Sequence, residues 1–324
     1  MVKEKSVDNT LLSNGLIIDN KFYPKKNLPS GTLRIILTTA CNFKCLYCFN
    51  EGEANKEVRI QSLDNLKKVI TVAKNFGVNS IKLTGGEPLL YPKIEELLAF
   101  LQESNIGYYD LTTNISLLTD KNIKMLNKYN VSSLTLSLNT LEKDKYCYLS
   151  GTNSYESVMN NLSNTLEKFK GKLRINCIVF DENYNSRDYL NILELCKSKN
   201  IGLRFVEPSE VPGFQITYTK EKFNVLINEL RNNADKVIAS DCESVEYLFF
   251  DNWYLTVMHS LCDNKICSAC RDYMYLRVTS DGKLKPCLKR RDTEVDIDFS
   301  SEEAMSKCFV KAINNMGKGI NDKN

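Results

Sequence analysis

Three cysteines lie close together near the start of the chain, at spacings of four and three residues. Cys41, Cys45 and Cys48 follow a short β-branched run that predicts a strand. A loop of this length allows all three sulfurs to reach a single metal centre. Three thiolates leave one position of a four-iron cluster without a protein ligand, and an open iron can bind and activate another molecule. A structural zinc site normally has four ligands, and no fourth cysteine or histidine lies near this loop in the sequence.

Paired glycines and a glutamate end the second predicted strand, in the run Gly85-Gly86-Glu87-Pro88. Glycines allow a ligand to approach the backbone closely, and a glutamate with nearby carbonyls can hold a cationic amine. On its own the run is a common turn. Its combination with the cysteine triplet at the end of the preceding strand is specific, and it predicts a ligand site there.

Short β-branched or alternating runs are separated by amphipathic segments through the first two thirds of the chain. The predicted strands are 33–37, 80–83, 108–112, 133–138, 173–179 and 203–206. The predicted helices are 62–75, 93–104, 119–128, 154–168 and 186–198. This alternation predicts an α/β fold, either an open doubly wound sheet or an incomplete barrel, with functional loops after the strand ends.

The alternation stops at residues 207–213, where two prolines and a glycine break both periods. We therefore divide the chain into an arm over residues 1–30, a β/α unit over 31–210 and a C-terminal domain over 211–324. The C-terminal domain contains aromatic strand-like runs over 247–254 and a final helix around 302–315.

A second group of cysteines lies in the C-terminal domain. Cys267 and Cys270 form a pair, and an Asp-Gly hairpin signal at 281–282 folds Cys287 back towards them. These three residues predict a second metal site. Cys262 offers a fourth sulfur, so a zinc tetrathiolate and unligated cysteines stay open as alternatives. His259 precedes the group, and we interpret it as a hydrogen-bonded structural histidine rather than a cavity residue.

Composition excludes several classes of protein. With 43 basic and 40 acidic residues the net charge is +3, which is too balanced for a generic binder of nucleic acid or membrane surfaces. We expect no signal peptide and no membrane span, because no apolar run approaches the ~20 residues that a span needs. Twelve cysteines in 324 residues are well under the roughly 8–10% of a disulfide scaffold, so we expect reduced thiols in the cytoplasm.

The cysteine triplet, with Tyr47 before its last member, and the Gly-Gly-Glu run together resemble the radical S-adenosylmethionine (SAM) superfamily. The resemblance implies a partial (β/α)6 TIM-like barrel and a [4Fe-4S] cluster on Cys41, Cys45 and Cys48 whose free iron binds SAM. Reductive cleavage of SAM then yields a 5′-deoxyadenosyl radical that takes a hydrogen atom from the substrate. The implied SAM-binding residues are Tyr47, Gly85, Gly86, Glu87, Ser137 and Asn139. An external electron donor of the flavodoxin or ferredoxin type is also implied.

The distal region, with Cys-Ser-Ala-Cys and Arg-Val-Thr-Ser-Asp-Gly-Lys-Leu-Lys-Pro-Cys-Leu, resembles the MoaA family, the GTP 3′,8-cyclases of molybdenum cofactor biosynthesis. The likeness runs from about Thr32 to Asn315. It implies a lyase that binds GTP, whose ribose 3′ hydrogen is removed by the 5′-deoxyadenosyl radical before the sugar carbon attacks C8 of guanine. It also implies a second, auxiliary [4Fe-4S] cluster on Cys267, Cys270 and Cys287. The substrate residues that we assign on this basis are Arg34, Lys82, Thr112, Arg174, Arg204 and Arg277.

Several positions depart from the MoaA pattern. Asn139 replaces an aspartate, Ala40 replaces an arginine, and Tyr275 or a displaced Arg271 stands for the second of two paired arginines. Three alternatives therefore stay open beside the cyclase. They are a MoaA-like enzyme acting on another nucleoside or sugar, a peptide-modifying radical SAM enzyme, and a zinc-stabilised binding protein that is no enzyme.

Overall fold

A computed structural model describes residues 11–12, 15–18, 21–24, 31–48, 50–52, 57–208, 216–239, 245–260, 275–288 and 290–316. Six parallel strands, consecutive in sequence and adjacent in space, form the centre of its main sheet. They are β4 (Gly31–Ile36), β5 (Val78–Thr84), β6 (Tyr108–Thr113), β7 (Ser133–Ser137), β8 (Lys172–Ile178) and β9 (Gly202–Val206). The six strands predicted from the sequence are therefore confirmed, with shifts of one or two residues at their ends.

Helices connect the central strands. They are α1 (Leu63–Asn75), α2 (Ile94–Glu103), α3 (Asp120–Lys128), α4 (Lys143–Ser150), α5 (Tyr155–Lys168), α6 (Asp181–Asn185) and α7 (Asp188–Ser198). Side chains of Ser62 and Thr119 cap the first turns of α1 and α3 by accepting backbone N–H bonds, which explains where these helices begin. The five predicted helices are confirmed, whereas α4 and α6 were missing from the prediction.

The central strands have one apolar face and one polar face, because successive side chains on a strand point to opposite sides. Residues such as Leu33, Ile81 and Leu111 are fully buried and pack with the helices in one hydrophobic core. The other side, which we call the polar face, carries Arg34, Lys82, Asp110, Thr112, Thr135, Arg174, Asn176 and Arg204. The strand alternation therefore separates the hydrophobic core from a surface of charged and polar groups.

Strands from the C-terminal region extend the same sheet at both edges. Next to β9 lie β12 (Trp253–Met258), β11 (Val245–Phe250) and β10 (Lys236–Ala239), and next to β4 lie β13 (Tyr275–Val278), β14 (Lys283–Lys285) and β15 (Val295–Asp296). β12 and β13 run parallel to their central neighbours. In the described part of the chain the sheet is open, ending at β10 and β15.

Two further helices follow the central strands. α8 (Lys220–Asn232) comes after β9, and α9 (Glu302–Asn314) is the predicted final helix. α9 packs against the outer surface of α1, where the rings of Phe76 and Phe309 stack with centroids 5.3 Å apart. The predicted aromatic strand-like runs over 247–254 lie in β11 and β12, and Asp251, with a positive φ of 50°, turns the chain between them.

Part of the predicted N-terminal arm forms a separate three-stranded antiparallel sheet. Its strands are β1 (Leu11–Leu12), β2 (Gly15–Ile18) and β3 (Lys21–Pro24). The boundaries at residues 30 and 210 stay predictions. None of the helices in the described ranges is long and apolar enough to cross a membrane.

Candidate active site

The first cysteine group lies on the loop that follows β4. Backbone N–H groups of Lys44 and Leu46 donate to the carbonyls of Ser150 and Leu149 at 3.1 and 2.9 Å, which fastens the loop to the end of α4. On its other side the N–H of Thr39 donates to the carbonyl of Arg59 at 3.0 Å. The loop is therefore held by backbone contacts on two sides.

The three thiols differ in exposure. Cys41 and Cys48 are exposed, and Cys45 is half-buried. Partial desolvation raises the pKa of all three thiols, that of Cys45 to about 12, and the nearby thiols of Cys48 and Cys41 raise the pKa of Cys45 further. In the ranges that the structure describes, no three His, Cys, Asp or Glu side chains converge on one point to hold a metal ion. The donor set still fits an iron–sulfur cluster, because three thiols on one loop are free of disulfides and a metal that binds thiolates supplies the force to gather them.

The paired glycines at the end of β5 pack directly under the cysteine loop. The N–H of Gly86 donates to the carbonyl of Thr38, and that of Glu87 donates to the carbonyl of Ala40, both at 2.8 Å. A Cβ atom on Gly85 would overlap the carbonyl oxygen of Thr38, and one on Gly86 would lie 2.6 Å from the carbonyl oxygen of Thr39. Both positions therefore require glycine so that the loop can lie against the strand end.

Glu87, predicted to bind the cofactor, is fully buried and engaged by the protein. One carboxylate oxygen accepts bonds from the N–H of Leu89 and the hydroxyl of Thr113, at 3.1 and 2.9 Å. The other oxygen accepts from the N–H of Asn114 at 2.8 Å. Burial raises the pKa of Glu87 to about 7, against the effect of these hydrogen bonds. Glu87 thus links the ends of β5 and β6 through these hydrogen bonds.

The other predicted SAM-binding residues lie on neighbouring segments. The Tyr47 ring stacks on Phe180 with centroids 6.0 Å apart. Ser137 ends β7 and is half-buried. Asn139 is buried, and its side-chain oxygen accepts a bond from the N–H of Ile178 at 2.8 Å. In the described structure Asn139 therefore ties the segment after β7 to β8.

Two of the predicted substrate cations are paired with carboxylates. The Arg34 guanidinium binds both carboxylate oxygens of Glu51, and its Nε donates to Glu51 Oε2 at 2.9 Å. The Lys82 ammonium donates to Asp110 Oδ2 at 2.8 Å. Neither carboxylate was predicted from the sequence, because each pair depends on which residues the fold brings together. The one local signal for Glu51 is that it is an acidic residue shortly after Cys48.

Three predicted substrate arginines keep free donors. Arg174, Arg204 and Arg277 are half-buried, and the buried Nε of each has no hydrogen-bond partner among the described residues. Burial, followed by repulsion from Arg174, lowers the pKa of Arg204 to about 10. Arg277 lies in register with Arg34 across β13 and β4, and Thr112 lies in register with Thr135 beside Arg174. The polar face therefore brings all six predicted substrate residues onto one surface and presents unused cationic donors there.

The predicted hairpin near the second cysteine group is present. β13 and β14 pair antiparallel, and Gly282 adopts a φ of +81° at the turn between them. Cys287 follows β14 and is half-buried. Cys262, Cys267 and Cys270 lie outside the described residues, so the second metal site stays a prediction.

His259 lies between two carboxylates at the end of β12. Its Nε2 is 2.6 Å from Glu246 Oε1, and its Nδ1 is 3.7 Å from Glu207 Oε2. Arg231 also binds Glu246, and the N–H of Ser260 donates to Glu207 at 2.8 Å. The interpretation of His259 as a hydrogen-bonded structural residue fits these contacts.

The fold and the cysteine loop define the class of protein. A family model described as the Radical SAM superfamily matches residues 35–197. The chain belongs to this superfamily, which implies a [4Fe-4S] cluster and SAM as cofactors.

Among named relatives, the chain is similar to proteins called probable GTP 3′,8-cyclase. It is 27% identical over 287 residues to one from Methanococcus maripaludis, covering 87% of this chain and 94% of the relative. It is 29% identical over 291 residues to one from Archaeoglobus fulgidus, covering 87% and 93%.

Solved structures of other proteins share the fold. The structure of anSMEcpe with bound AdoMet and the Kp18Cys peptide gives a TM-score of 0.63 at 18% identity, covering 88% of this chain and 83% of that one. Streptococcus suis SuiB, bound to the precursor peptide SuiA, gives 0.63 at 21% identity. That match covers 80% of this chain but only 60% of SuiB. These likenesses confirm the partial barrel predicted from the sequence, with the sheet left open.

We expect the substitution Gly86→Ala to disturb the cysteine loop. Its Cβ would overlap backbone carbonyls that cannot move without moving the loop, a cost of about 1–3 kcal/mol. Iron content after anaerobic reconstitution and the thermal midpoint should both fall. Gly107→Ala is the matched control, because its Cβ would be 3.6 Å from the nearest atom. Equal iron contents in the two variants would contradict this account of Gly86.

Glu87 should make stability depend on pH. Its pKa rises from the ordinary 4.5 to about 7 on folding, so the folded protein binds an extra proton between these values. The stabilising contribution of Glu87 is therefore present at low pH and lost as the pH rises towards 7. Because a glutamine side chain does not ionise, the stability difference between wild type and Glu87→Gln should shrink from pH 5 to pH 7.5. Thermal unfolding followed by circular dichroism measures it, and a difference that stays constant contradicts a raised pKa.

Proposed function

We propose that the protein is a radical SAM enzyme that joins two carbon atoms within a purine nucleotide, with GTP as substrate and 3′,8-cyclisation as the reaction. The observation that carries this proposal is the set of three half-buried arginines on the polar face whose Nε donors are unused among the described residues. The similarity to relatives named probable GTP 3′,8-cyclase, over 87% of the chain, supports the same substrate.

The three arginines suit a phosphate chain. Guanidinium groups match the geometry of phosphate oxygens and keep their charge when partly buried. Arg174 and Arg204 repel each other, so a bound polyanion would relieve that repulsion. The charges of Arg34 and Lys82 are already compensated by Glu51 and Asp110. The three arginines with Nε donors unused among the described residues are therefore the main phosphate donors. The nucleotide would therefore bind with its phosphates on the polar face.

Cys41, Cys45 and Cys48 are the residues that would hold the SAM-binding cluster. When bound, the cluster and SAM supply the one-electron chemistry that generates a 5′-deoxyadenosyl radical and removes the ribose 3′ hydrogen. The chain positions this chemistry through the backbone contacts of Gly86 and Glu87 with the cysteine loop. Asn114, at the end of β6, has its side-chain amide 3.9 Å from the Cys41 sulfur, so the polar face and the loop meet there.

We further propose that Cys267, Cys270 and Cys287 hold an auxiliary [4Fe-4S] cluster. The hairpin that precedes Cys287 also carries Arg277, so a cluster there would lie on the segment that supplies part of the phosphate site. If the site held zinc instead, Cys262 would supply the fourth thiolate of a zinc tetrathiolate. We expect an external flavodoxin- or ferredoxin-type electron donor. Free thiols in the described residues fit a reducing cytoplasm.

Turnover with GTP tests the proposal. Enzyme reconstituted anaerobically with iron and sulfide should convert SAM, dithionite and GTP into 5′-deoxyadenosine and a cyclised nucleotide. Cys41→Ala should abolish both products because it removes a cluster ligand, whereas Cys308→Ala, on α9, should retain both. Liquid chromatography with mass spectrometry measures the two products.

Two results would count against this function. Formation of 5′-deoxyadenosine with no product derived from GTP would overturn the cyclase and leave another nucleoside, a sugar or a peptide as substrate. Failure to cleave SAM reductively would overturn the enzymatic proposal.

The auxiliary cluster is tested by iron content. We expect about eight irons per reconstituted chain if both sites hold four-iron clusters. Cys287→Ala should lower the content to about half, because only the first cluster remains. Cys308→Ala again serves as the control. Zinc at about one per chain, with about four irons, would contradict an auxiliary iron–sulfur cluster.

A further inference from the structure

Asp110 has one unused carboxylate oxygen on the polar face. Its side chain is only 1% exposed. Oδ2 accepts the bond from Lys82 at 2.8 Å, and Oδ1 has no hydrogen-bond partner among the described residues. The Oδ1 of Asn176, also on the polar face, is buried and unpartnered in the same way. The face therefore holds unused acceptors as well as the unused arginine donors.

Leaving a buried carboxylate oxygen without a donor is unfavourable. The desolvation of that oxygen is uncompensated unless water or a ligand supplies the missing bond. Ionised phosphate oxygens only accept hydrogen bonds, so a phosphate chain can use the arginines but cannot satisfy Asp110. A ligand that pairs with Asp110 as well as with the arginines therefore carries an O–H or N–H group close to its phosphates.

The neighbours of Asp110 do not supply that donor. Lys82 bonds to the other oxygen, and the hydroxyl of Ser133, which is in register with Asp110, is paired with that of Tyr108 at 2.6 Å. Asp110 precedes Asn114 by four residues along β6, a distance of about 13 Å at ~3.3 Å per residue. The unused oxygen thus lies on the polar face, and it is separated from the cysteine loop along the direction of β6.

We propose that Asp110 is a specificity residue that accepts a hydrogen bond from the nucleotide, either from a ribose hydroxyl or from the exocyclic amine of the base. This inference rests on the proposed function, because it assumes that the polar face binds a nucleotide. The Lys82–Asp110 pair then selects a substrate that presents a donor beside its anionic part. A site built to pair with a substrate donor strongly rejects an analogue that lacks it.

The substitution Asp110→Asn reverses the polarity of this position. Lys82 can only donate, so the amide oxygen of the variant turns towards Lys82 and the NH2 group occupies the place of Oδ1. The substrate donor then faces another donor. Asp120→Asn is the matched control, since Asp120 makes an equivalent bond to Lys168 at 2.8 Å on the exposed side of α3.

Equilibrium binding to the reconstituted enzyme, with SAM and without reductant, provides the test. The probes are GTP, 2′-deoxyGTP, 3′-deoxyGTP and inosine triphosphate, which lacks the exocyclic amine. We expect Asp110→Asn to weaken GTP binding at least tenfold, and Asp120→Asn to leave it unchanged. One analogue should bind at least tenfold more weakly than GTP to wild type but lose little further affinity in Asp110→Asn. The group that this analogue lacks is the donor. The non-additivity of removing that group and of substituting Asp110 measures the interaction between them.

Other outcomes overturn the inference. Equal weakening of all four nucleotides by Asp110→Asn, or no weakening, means that Asp110 accepts no bond from them. If wild type binds GTP and Asp110→Asn loses iron or unfolds, the double variant Lys82→Met with Asp110→Ala removes both the charge pair and the acceptor, and it is tested for the same loss of selectivity. Retained selectivity there overturns the inference alone. Absence of nucleotide binding by wild type overturns the proposed function, and this inference with it.

Discussion

The whole arrangement depends on the two-residue period of the central strands. On β4 to β9 one set of side chains is apolar and packs under the helices, and the alternate set is polar and faces away from them. Each buried Leu or Ile contributes about 1.5–3 kcal/mol, so the apolar set fixes the register of every strand. A slip of one residue would turn Arg34 and Lys82 into the hydrophobic core. Packing on one side therefore determines the chemistry on the other.

Charge pairing on the polar face explains how several cations can share a half-buried surface. Partly buried charges are costly unless a partner compensates them. Arg34 with Glu51 and Lys82 with Asp110 are compensated within the protein, and burial disfavours the charge of Arg204. One part of the polar face thus has its charges paired within the protein. The other part carries positive charge that a bound anion would compensate.

Local sequence patterns predicted the central strands, five connecting helices, the hairpin at Gly282 and the cysteine loop, because periodicity and spacing are local properties. They could not predict α4, whose stretch lacks a regular apolar stripe although Tyr146 and Leu149 are buried under the cysteine loop. They also missed the pairing of Arg34 with Glu51 and of Lys82 with Asp110, and the packing of Gly86 against Thr38. These contacts depend on strand register and on loop backbone geometry, which no single segment encodes.

The pairing of β13 with β4 has a consequence for how the chain is made. β4 is synthesised before the other five central strands, whereas β13, its parallel partner on that edge, comes after all of them in the chain. Until then β4 presents an unpaired row of N–H and C=O groups, which is a template for association with other chains. Completion of the sheet therefore waits for the C-terminal region. A nascent or truncated chain lacking that region would keep an unpaired, aggregation-prone strand edge next to its own cysteine loop.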